Sequence, residues 1–442
     1  MTNFSAIILA AGKGTRMKSA MPKPLHQIAH KSMLGYVVDA YKNAGATEII
    51  LVISAEDTLT PALFPDATFA IQHEQKGTGH AAMAGMNALT KNVDKIIVAL
   101  GDQPFVSQDT IKTVIAQDDA ITVVAMRPED PARYGRLITD STGALLRIVE
   151  YKDASDKERQ INLCNAFPIC FDGGHAKSLF DKIQPNNAAN EYYLTDAIEI
   201  ANDIALRCGF LEAPVSESVA ANTREELAQL EKIVQTKLRQ NAMANGVTLL
   251  DPESVYFAHD TVIGSDVIVE PNVFFGPNVV IGDNVRIKAF SHIEGATIKA
   301  HAQIGPFARL RPDTLIDENA RIGNFVEIKK SHIAHGAKVS HLSYIGDAQI
   351  GEKSNIGAGT ITCNYDGFEK FKTIIGKECF IGSNAILVAP AQIGDGAFVA
   401  AGSVITHKVP SDALAIARTR QTEKDGWAKL FRSRKQSLKE KK

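Results

Sequence analysis

The chain has 442 residues, which is too long for one ordinary hydrophobic core, so we expect two or three domains. Hydrophobic residues make up 45% and charged residues 22% of the chain, a composition typical of a soluble globular protein. The formal net charge of −2 gives no general reason to expect a nucleic-acid or membrane partner.

Cysteine usage and the first residues indicate the compartment. The cysteines are scattered and include no C-x-x-C pair: Cys164, Cys170, Cys208, Cys363 and Cys379. This pattern predicts reduced, mostly buried thiols in a reducing compartment. The apolar run from Ala6 to Ala11 is too short to cross a membrane and follows no basic segment. We therefore expect a cytoplasmic protein without membrane insertion.

The first half alternates apolar runs with amphipathic segments. The β-branched runs are Ser5–Ala10, Glu48–Ile53, Lys95–Leu100 and Ile121–Met126. Continuous runs of this kind suit parallel strands that are buried on both faces. A helical segment at Tyr36–Ala44 lies between two of them. The alternation predicts a doubly wound, Rossmann-like α/β domain over residues 1–222, with ligands beyond the carboxyl ends of its strands.

The first of these strands leads into a glycine-bearing loop, LAAGKGTRM, at Leu9–Met17. The loop is not a Walker A motif, and Met17 stands where a dinucleotide fingerprint needs its third glycine. Backbone N–H groups together with the cations of Arg16 and Lys23 suit a polyphosphate. A purely structural turn is the competing interpretation.

A helix is predicted over residues 223–246. Thr223 and Glu226 have the spacing of a capping box, and Asn245-Gly246 provides a stop signal. An apolar stripe at helical spacing follows the cap: Leu227, Leu230, Val234 and Leu238. The stripe is typical of a helix that packs as a connector between two domains.

The second half repeats with a period of six from Ile263 to Ile405. An aliphatic residue or phenylalanine recurs at each sixth position, with a few slips, and the residue two places earlier is always Ala, Ser, Thr, Val or Cys. Each unit can form one short strand and one corner, so that three units close a triangular coil whose turns stack. The period predicts a parallel β-helix within residues 247–442.

Several polar groups in this half are not explained by the repeat. Arg309–Pro312, Asn324–Lys330 and His341–Tyr344 fall on successive coils, and Cys363–Phe368 interrupts the period and must leave the coil as a loop. Loops on a rigid scaffold often carry function. His335 lies one hexapeptide before His341, which predicts that they stack and raises a zinc-site alternative resembling γ-class carbonic anhydrases. A convincing third ligand is missing, and catalytic zinc needs three.

Motifs along the whole chain resemble one enzyme family. The loop at Leu9–Met17, followed by PKPLH from Pro22, is similar to the signature of sugar-nucleotide pyrophosphorylases. Further blocks that match are QHEQKGTGH from Gln72, Gly101-Asp102, YGR from Tyr134, IVEYKD from Ile148 and EYYLTD from Glu191. With the hexapeptide repeats, the chain resembles the bacterial bifunctional N-acetylglucosamine-1-phosphate uridylyltransferase/glucosamine-1-phosphate acetyltransferases. The resemblance implies a left-handed coil and the synthesis of UDP-N-acetylglucosamine from glucosamine 1-phosphate, acetyl-CoA and UTP, through N-acetylglucosamine 1-phosphate.

The resemblance also implies roles for residues in the first half. UTP phosphates and ribose would meet the loop and Lys23, uracil would meet Gln72, Gly77 and Thr78, and the amino sugar would meet Gly135, Glu150 and Asn165. Mg²⁺ would bind Asp102 and Asn222, because a carboxylate and an amide oxygen suit a cation that keeps waters and phosphate ligands. The implied nucleotide and sugar set is Leu9, Ala10, Ala11, Gly12, Arg16, Lys23, Gln72, Gly77, Thr78, Leu100, Gly101, Asp102, Gly135, Glu150, Asn165 and Asn222.

In the second half the resemblance implies an acetyltransferase site. His341 would be the general base, a role suited to an imidazole at neutral pH. The sugar phosphate would be bound by Arg311, Lys329, Tyr344 and Asn355. Acetyl-CoA would contact Ala358, Asn364, Tyr365, Ser383, Ala401 and Arg418. The loop that carries Tyr365 would reach a neighbouring subunit, so the family implies a homotrimer.

Some positions depart from the family pattern. Ala166-Phe167 stands where Thr-Gly is usual, beside the presumed N-acetyl pocket, and Gln103-Pro104-Phe105 stands where Val-Pro-Leu is usual. The basic tail from Arg432 to Lys442 is predicted to be a solvated, frayed end, with contact to CoA phosphates as an alternative. Two other functions stay open: a single-activity nucleotidyltransferase whose β-helix serves assembly, and a pure scaffold protein.

Overall fold

The computed structural model describes residues 2–131 and 133–440. The chain divides into two compact units, Met1–Lys237 and Leu238–Lys442. The boundary between the units falls inside one long helix. No helix in the described part of the chain combines the length and the apolar character needed to cross a bilayer.

The first unit is built on one mixed sheet. Its strands are β1 (Phe4–Leu9), β4 (Glu48–Ser54), β5 (Thr68–Gln72), β6 (Lys95–Leu100), β7 (Ile121–Met126), β8 (Arg136–Thr139), β9 (Leu145–Val149), β10 (Cys164–Asp172) and β11 (Cys208–Glu212), with β2 (Gln27–Ile28) and β3 (Lys31–Ser32) forming a separate hairpin. The main order is β11-β7-β10-β6-β1-β4-β5. All neighbours on this path are parallel except β10, which is antiparallel to both β6 and β7. The four predicted strand runs are confirmed within one residue at each end.

Helices cover both faces of this sheet. They are α1 (Met33–Ala44), α2 (Leu59–Leu63), α3 (Thr78–Asn87), α4 (Gln108–Ile115), α5 (Asp156–Arg159), α6 (Ala176–Phe180) and α7 (Asp196–Asp203), with short 3₁₀ turns at Thr15–Met17, Lys23–Leu25 and Val215–Glu217. One core cluster packs α3, α6 and α7 against the sheet, and the other packs α1 and α4. Two-sided coverage explains the continuous apolar runs of β1 and β6, because parallel strands of this kind are buried on both faces. The predicted doubly wound α/β architecture is confirmed.

The helix that crosses the unit boundary is α8 (Arg224–Ala244). The Thr223 hydroxyl accepts a hydrogen bond from the Glu226 backbone at 3.2 Å, and the Glu226 carboxylate accepts one from the Thr223 N–H at 3.3 Å. These reciprocal bonds form the predicted capping box, which satisfies N–H groups that the first turn leaves free. Gly246, with φ 90, follows the last turn and allows the chain to leave the helix.

The second unit is a left-handed parallel β-helix with three sheets as its faces. The first face contains Thr248–Leu249, Ile268–Val269, Arg286–Ile287, Gln303–Ile304, Arg321–Asn324, Lys338–His341, Asn355–Ile356, Phe380–Ile381, Phe398–Val399 and Leu414–Ala415. The second contains Val262–Ile263, Val280–Ile281, Ala296–Ile298, Thr314–Ile316, His332–Ile333, Ala348–Ile350, Thr373–Ile375 and Ala391–Ile393. The third contains Phe274–Phe275, His292–Ile293, Arg309–Leu310, Glu327–Lys329, Tyr344–Gly346, Ile361–Cys363, Ile386–Val388 and Val404–Ile405. A short 3₁₀ turn, Pro252–Ser254, precedes the regular coils.

The aliphatic residues of the repeat form the core of the coil. From Val269 to Ile405 every member of the predicted six-residue series is buried, and Ile263 at the first coil is partly buried. Small residues are needed where coils approach closely. A Cβ added to Gly323 would lie 1.9 Å from the Ser340 carbonyl oxygen on the next coil, so no larger residue fits there without a shift. The six-residue period therefore reflects two requirements: aliphatic side chains fill the core, and small residues allow adjacent coils to approach closely.

Two sequence-based expectations are wrong. Strand pairing puts Asn324 opposite His341, one full coil away, while positions six apart lie on adjacent faces. His335 and His341 therefore do not stack. The basic tail is not frayed within its described part: helix α9 (Trp427–Lys439) continues through Arg432 with every side chain exposed. Residues 441–442 lie outside the described residues.

All five cysteines are free thiols, and four of them are buried. The exception is Cys363, which is partly exposed in the loop that interrupts the repeat. The predicted burial of most of the thiols is confirmed.

Candidate active sites

A cavity of about 500 Å³ opens at the carboxyl ends of β1 and β6 in the first unit. This is the edge where open α/β sheets bind ligands. The predicted residues that line the cavity are Leu9, Ala10, Ala11, Gly12, Lys23, Gln72, Gly77, Thr78, Leu100, Asp102, Glu150 and Asn222. Most of the predicted first-half set is therefore brought together by the fold.

Lys23 joins the two predicted metal ligands. Its Nζ bonds the Asp102 carboxylate and donates to the Asn222 Oδ1 at 2.9 Å. The side chains of Lys23 and Asp102 are only 15% and 13% exposed, so the ion pair is shielded from solvent. The partners are 79 and 199 residues from Lys23 in the sequence, and the fold alone makes them neighbours.

The same contacts test whether these residues fit a magnesium ion. One cationic atom reaches both oxygens, so Asp102 and Asn222 already point at a common position of positive charge. A carboxylate and an amide oxygen are hard ligands of the kind that Mg²⁺ takes, with water and phosphate completing its shell. The donor set therefore fits Mg²⁺.

Gln72, Gly77 and Thr78 form one wall of the cavity. Gln72 is buried, and its Nε2 donates to the Gly77 carbonyl at 3.2 Å. Gly77 has φ 108, and a Cβ there would lie 2.5 Å from the Tyr192 carbonyl oxygen, so only glycine fits. Thr78 begins α3, and its hydroxyl accepts from the Leu194 N–H at 3.1 Å. This wall presents fixed polar groups beside the N-terminus of a helix.

An acidic group lies on the opposite side of the cavity. The Thr195 hydroxyl donates to Glu150 Oε1 at 3.1 Å, which lowers the pKa of that carboxyl, but burial has the larger effect and raises it. Burial also raises the pKa of Asp196 to about 6, with further increases from Glu150, Glu199 and Asp153. Glu150, which lines the cavity, is thus a carboxyl group whose ionisation is disfavoured by its surroundings.

Four predicted first-half residues do not line the cavity. Arg16 is exposed on the turn after the loop, and Gly101 is buried at the end of β6. The Asn165 N–H donates to the Gly135 carbonyl at 2.8 Å, and a Cβ on Gly135 would lie 3.3 Å from Glu150 Oε1. Gly135 therefore lies next to Glu150, and Asn165 is bonded to Gly135.

Other lining residues did not appear among the predicted contacts. They are Pro24, Gln75, Ala81, Phe167, Glu191, Tyr193 and Thr195. Three of them belong to the EYYLTD block, whose match to the family was the only sequence signal for them. A second cavity of about 760 Å³ shares Ala10, Ala11 and Gly12 and adds the cations of Lys13 and Lys76. The glycine loop thus contributes residues to both cavities.

In the second unit His341 is exposed at the end of a first-face strand. Its Nδ1 is 2.8 Å from Asn324 Oδ1 on the preceding coil. An amide oxygen only accepts, so this contact assigns the proton to Nδ1 and leaves Nε2 as the basic nitrogen. Asn324 therefore fixes the tautomer that a general base requires.

The corner that holds His341 continues along the coil. On the first face, strand pairing aligns one residue from each of five successive coils: Arg321, Lys338, Asn355, Phe380 and Phe398. Three residues beyond each of these positions lies a column composed of Asn324, His341, Ala358, Ser383 and Ala401. The column puts the predicted base in line with three predicted acetyl-CoA contacts, at a spacing of ~4.8 Å per coil.

Cations gather on the neighbouring face. The side chain of Lys370, by hydrogen bonding, lowers the pKa of Lys329, and burial, the Lys370 charge and the Arg311 charge lower it further. Arg311 also donates to Glu327 Oε1 at 2.9 Å. Lys370 lies in the interrupting loop and was not predicted as a site residue. Lys329 thus interacts electrostatically with two further cations, an arrangement that suits a phosphate group.

Tyr344 and Asn364 approach one another over Gly346. A Cβ on Gly346 would lie 2.5 Å from the Tyr344 hydroxyl and 2.8 Å from Asn364 Nδ2, so the glycine leaves the space for both groups. The Asn364 amide also donates to the Asp347 carboxylate. The fold thus brings predicted sugar and acetyl-CoA residues together at this point.

The remaining second-unit predictions are dispersed. Asn355 lies on the first face between Lys338 and Phe380, Tyr365 is 58% exposed in the loop, and Arg418 is exposed after the last strand. A shallow cavity of about 420 Å³ on the third face includes Tyr344 as its one predicted residue. The loop has its own structure, since Asp366 Oδ1 accepts from the backbone N–H groups of Phe368 and Glu369 at 2.8 Å.

The zinc alternative receives no support from side-chain grouping. Within residues 2–131 and 133–440, no three His, Cys, Asp or Glu side chains are arranged to hold a metal ion. His335 instead contacts the Asn319 amide at 3.1 Å.

Comparisons with known proteins agree with both units. A MobA-like NTP transferase domain matches residues 6–188, a bacterial transferase hexapeptide model of six repeats matches 260–295, and a GMPPB C-terminal domain matches 292–412. The "Bifunctional protein GlmU" of Zymomonas mobilis subsp. mobilis is 49% identical over 442 residues, covering 98% of each chain. The protein of that name from Paramagnetospirillum magneticum is 44% identical over 449 residues, covering 100% of this chain and 99% of its own. The one from Azorhizobium caulinodans is 48% identical over 434 residues, covering 97% of each. Because this identity extends through both units, the chain belongs to the family of bifunctional GlmU proteins.

Proposed function

We infer that the protein makes UDP-N-acetylglucosamine in two steps. It acetylates glucosamine 1-phosphate with acetyl-CoA and then transfers UMP from UTP to N-acetylglucosamine 1-phosphate. We assign the transfer of UMP to residues 1–222 and acetylation to residues 247–442, with residues 223–246 as the linker helix. The observation that carries the proposal is the meeting of Lys23, Asp102 and Asn222 in the cavity of the first unit.

UMP transfer needs no protein nucleophile. A phosphate oxygen of the sugar phosphate attacks the α-phosphorus of UTP, a P–O bond forms, and the bond to the β-phosphate oxygen breaks to release pyrophosphate. The chain contributes alignment and charge neutralisation. Lys23 and the loop N–H groups hold the phosphates, with Arg16 nearby, while Gln72, Gly77 and Thr78 hold the uracil and Gly135, Glu150 and Asn165 hold the sugar.

Asp102 and Asn222 would hold Mg²⁺. The ion, when bound, supplies positive charge to the phosphates. Lys23 is then free to contact a phosphate oxygen, because its present bonds to the two ligands would be replaced.

Acetylation uses the corner column and the cation group. Arg311 and Lys329 bind the phosphate, with Lys370 beside them, and Tyr344 and Asn355 orient the sugar. The amine attacks the thioester carbonyl and its proton passes to His341 Nε2. The C–S bond then breaks, and the same proton passes from His341 to the departing sulfur, so that the CoA thiol is released and the base is regenerated. Ala358, Ser383 and Ala401 line the path of acetyl-CoA, with Asn364, Tyr365 and Arg418 as further contacts.

A homotrimer in the cytoplasm is the proposed working form. The exposed loop with Tyr365 and the fully exposed Phe368 side chain offer a surface that a second copy can cover. A purely monomeric mass by analytical ultracentrifugation would contradict the trimer. The free thiols fit a reducing cytoplasm, and recovery of the protein outside it on fractionation would contradict that location.

The test separates the two activities in one protein. Glucosamine 1-phosphate, acetyl-CoA, UTP and Mg²⁺ are mixed, and the CoA thiol and pyrophosphate are measured separately. Asp102→Ala should lower pyrophosphate release from N-acetylglucosamine 1-phosphate ~10³-fold and leave acetylation intact. His341→Ala should lower acetylation by ~10²- to 10⁴-fold and leave UMP transfer intact. Chelation of Mg²⁺ should stop only UMP transfer.

Three outcomes would refute parts of the proposal. Loss of both activities in each folded variant would reject independent sites. Absence of CoA release from the wild type would leave a single-activity nucleotidyltransferase. Absence of both products would leave a scaffold protein.

A further inference from the structure

Phe167 occupies an unusual position beside the first-unit cavity. The register of β10 against β7 shifts between Asn165 and Ile169, so residues 166–168 form a bulge. Bulges next to active sites re-aim side chains. Phe167 has φ 57, in the left-handed region that bulky residues seldom adopt, and it lines the cavity together with Glu150 and Thr195. Such a conformation persists only where its surroundings hold it in place.

Gln103 provides that support. It follows Asp102 directly and is 6% exposed. Its Nε2 donates to the Ala166 carbonyl at 3.0 Å and lies 3.4 Å from the Ser218 carbonyl. One buried amide therefore connects the end of β6, the bulge of β10 and the segment that leads to Asn222.

The Ala166 carbonyl links the two positions. A side chain without a donor at position 103 would leave this carbonyl without its bond from Gln103, and a glycine at position 167 would adopt φ 57 without support. The donor of Gln103 and the strained backbone of Phe167 are therefore linked.

We propose that Phe167 is a specificity-determining wall of the amino-sugar subsite that limits the size of the N-acyl group, and that Gln103 is its positioning residue. The proposal rests on the uridylyltransferase site described above. Glu150 and Thr195 offer polar atoms that suit sugar hydroxyls, whereas the benzyl group of Phe167 offers apolar surface that suits the acyl methyl group. It also fills volume that glycine would leave open to a longer acyl chain.

The first experiment compares N-acetyl- and N-butanoylglucosamine 1-phosphate as substrates for UMP transfer. Phe167→Gly should shift the ratio of their kcat/KM values about tenfold towards the longer acyl group, since two methylenes in an apolar pocket carry at least this discrimination. The KM for UTP should stay unchanged. The Tm should fall modestly, because Phe167 packs against the hydrophobic core and glycine removes this contact, while relief of the backbone at φ 57 offsets part of the loss. An unchanged ratio in the folded variant would overturn the role of Phe167.

Phe105→Leu is the matched control. Phe105 is an aromatic residue two positions after Gln103, but it lies against Lys237 and does not line the cavity. The acyl ratio should stay at the wild-type value in this variant. A shift as large as that of Phe167→Gly would mean that any change near Gln103 alters the ratio, which would contradict a specific wall.

The second experiment tests positioning by Gln103. Gln103→Met keeps the side-chain length and removes the donor. The KM for N-acetylglucosamine 1-phosphate should therefore rise about fivefold, which is the scale of one neutral hydrogen bond. The kcat and the KM for UTP should stay unchanged. Gln103→Met should have no further effect in a Phe167→Gly background. If the KM effects of Gln103→Met and Phe167→Gly multiplied in the double variant, the positioning role of Gln103 would be overturned.

The same assays distinguish failure of this inference from failure of the proposed function. An active Asp102→Ala variant would reject the uridylyltransferase site itself. An inactive Asp102→Ala variant together with an unchanged acyl ratio in Phe167→Gly would reject only the wall.

Discussion

In the first unit the predicted groups meet inside a cavity, whereas in the second unit they stand on the outer surface of the coil. Lys23 and Asp102 are more than four-fifths shielded from solvent, while His341 and Ser383 are exposed. Loops that follow different strands of an α/β sheet converge from distant parts of the chain. Coils of a β-helix instead repeat one corner at fixed intervals, so neighbouring site residues are one coil apart.

This difference determines how each site can be disturbed. In the first unit a charge lies in a region of low exposure, where removing one partner leaves the other unpaired. In the second unit a side chain acts at an exposed corner, where water can replace a lost contact. Among substitutions that leave the proposed base and metal ligands in place, we therefore expect larger losses in the first unit.

The largest expected effect tests the shielded ion pair. Lys23→Met should lower UMP transfer ~10²-fold, because the phosphates lose a fixed cation in a region of low exposure. Acetylation should be unaffected. Steady-state assays of both activities give the comparison. The control is Lys31→Met, which removes the more exposed pair with Asp39 and should leave both rates at the wild-type level. Equal losses in the two variants would show that shielding plays no part.

A smaller effect is expected at the exposed corner. Asn324→Ala removes the oxygen that bonds His341 Nδ1 and should lower the kcat of acetylation about tenfold, since the tautomer is no longer fixed. Asn319→Ala is the matched control, because Asn319 contacts His335 at 3.1 Å in the same unit. If both variants lost the same activity, a general effect on the coil would explain the result.

The smallest expected effect concerns stability of the first unit. The pKa of Asp196 is raised to about 6 by burial and by neighbouring carboxylates. A raised pKa means that its contribution to folding stability is full below about pH 4 and is lost as the pH rises through about 6. Asp196→Asn should therefore raise the free energy of unfolding by about 1 kcal/mol at pH 7.5, after allowance for solvent screening, and by less at pH 4.5.

Thermal unfolding of the wild type and the variant at the two pH values measures this effect. Asp203→Asn changes an exposed carboxylate at the other end of the same helix and should produce a similar small change at both pH values. A gain from Asp196→Asn that is larger at pH 4.5 than at pH 7.5 would contradict the assigned direction.

The extent of successful prediction also differs between the units. The six-residue series and the small residues two places before it account for most core positions of the coil, because one periodic contact decides the structure of each turn. It did not give the spatial relation of His335 and His341, since neighbours across a coil are separated by a full turn. In the tail, the sequence pattern missed helix α9, in which basic residues alternate with Trp427, Leu430 and Leu438.

For the first-unit cavity, motif resemblance supplied most of the lining. It predicted Asp102 and Asn222 together as metal ligands and gave Lys23 a separate role, with no sign that the Lys23 Nζ would contact both oxygens. It also noted Gln103 and Phe167 only as departures from a pattern. The bond from Gln103 to the Ala166 carbonyl depends on the bulge in β10, which no local propensity indicates.

By itself the sequence determined the architecture of both units and the family of the chain, because apolar periodicity and turn chemistry act over short stretches. Only the tertiary structure decided which polar groups meet: the lysine between two metal ligands, the column from Asn324 to Ala401, and the amide that supports the bulge. The physical reason is that these contacts join residues far apart in the chain. Their distances are set by strand register and coil stacking, and the side chains themselves do not specify them.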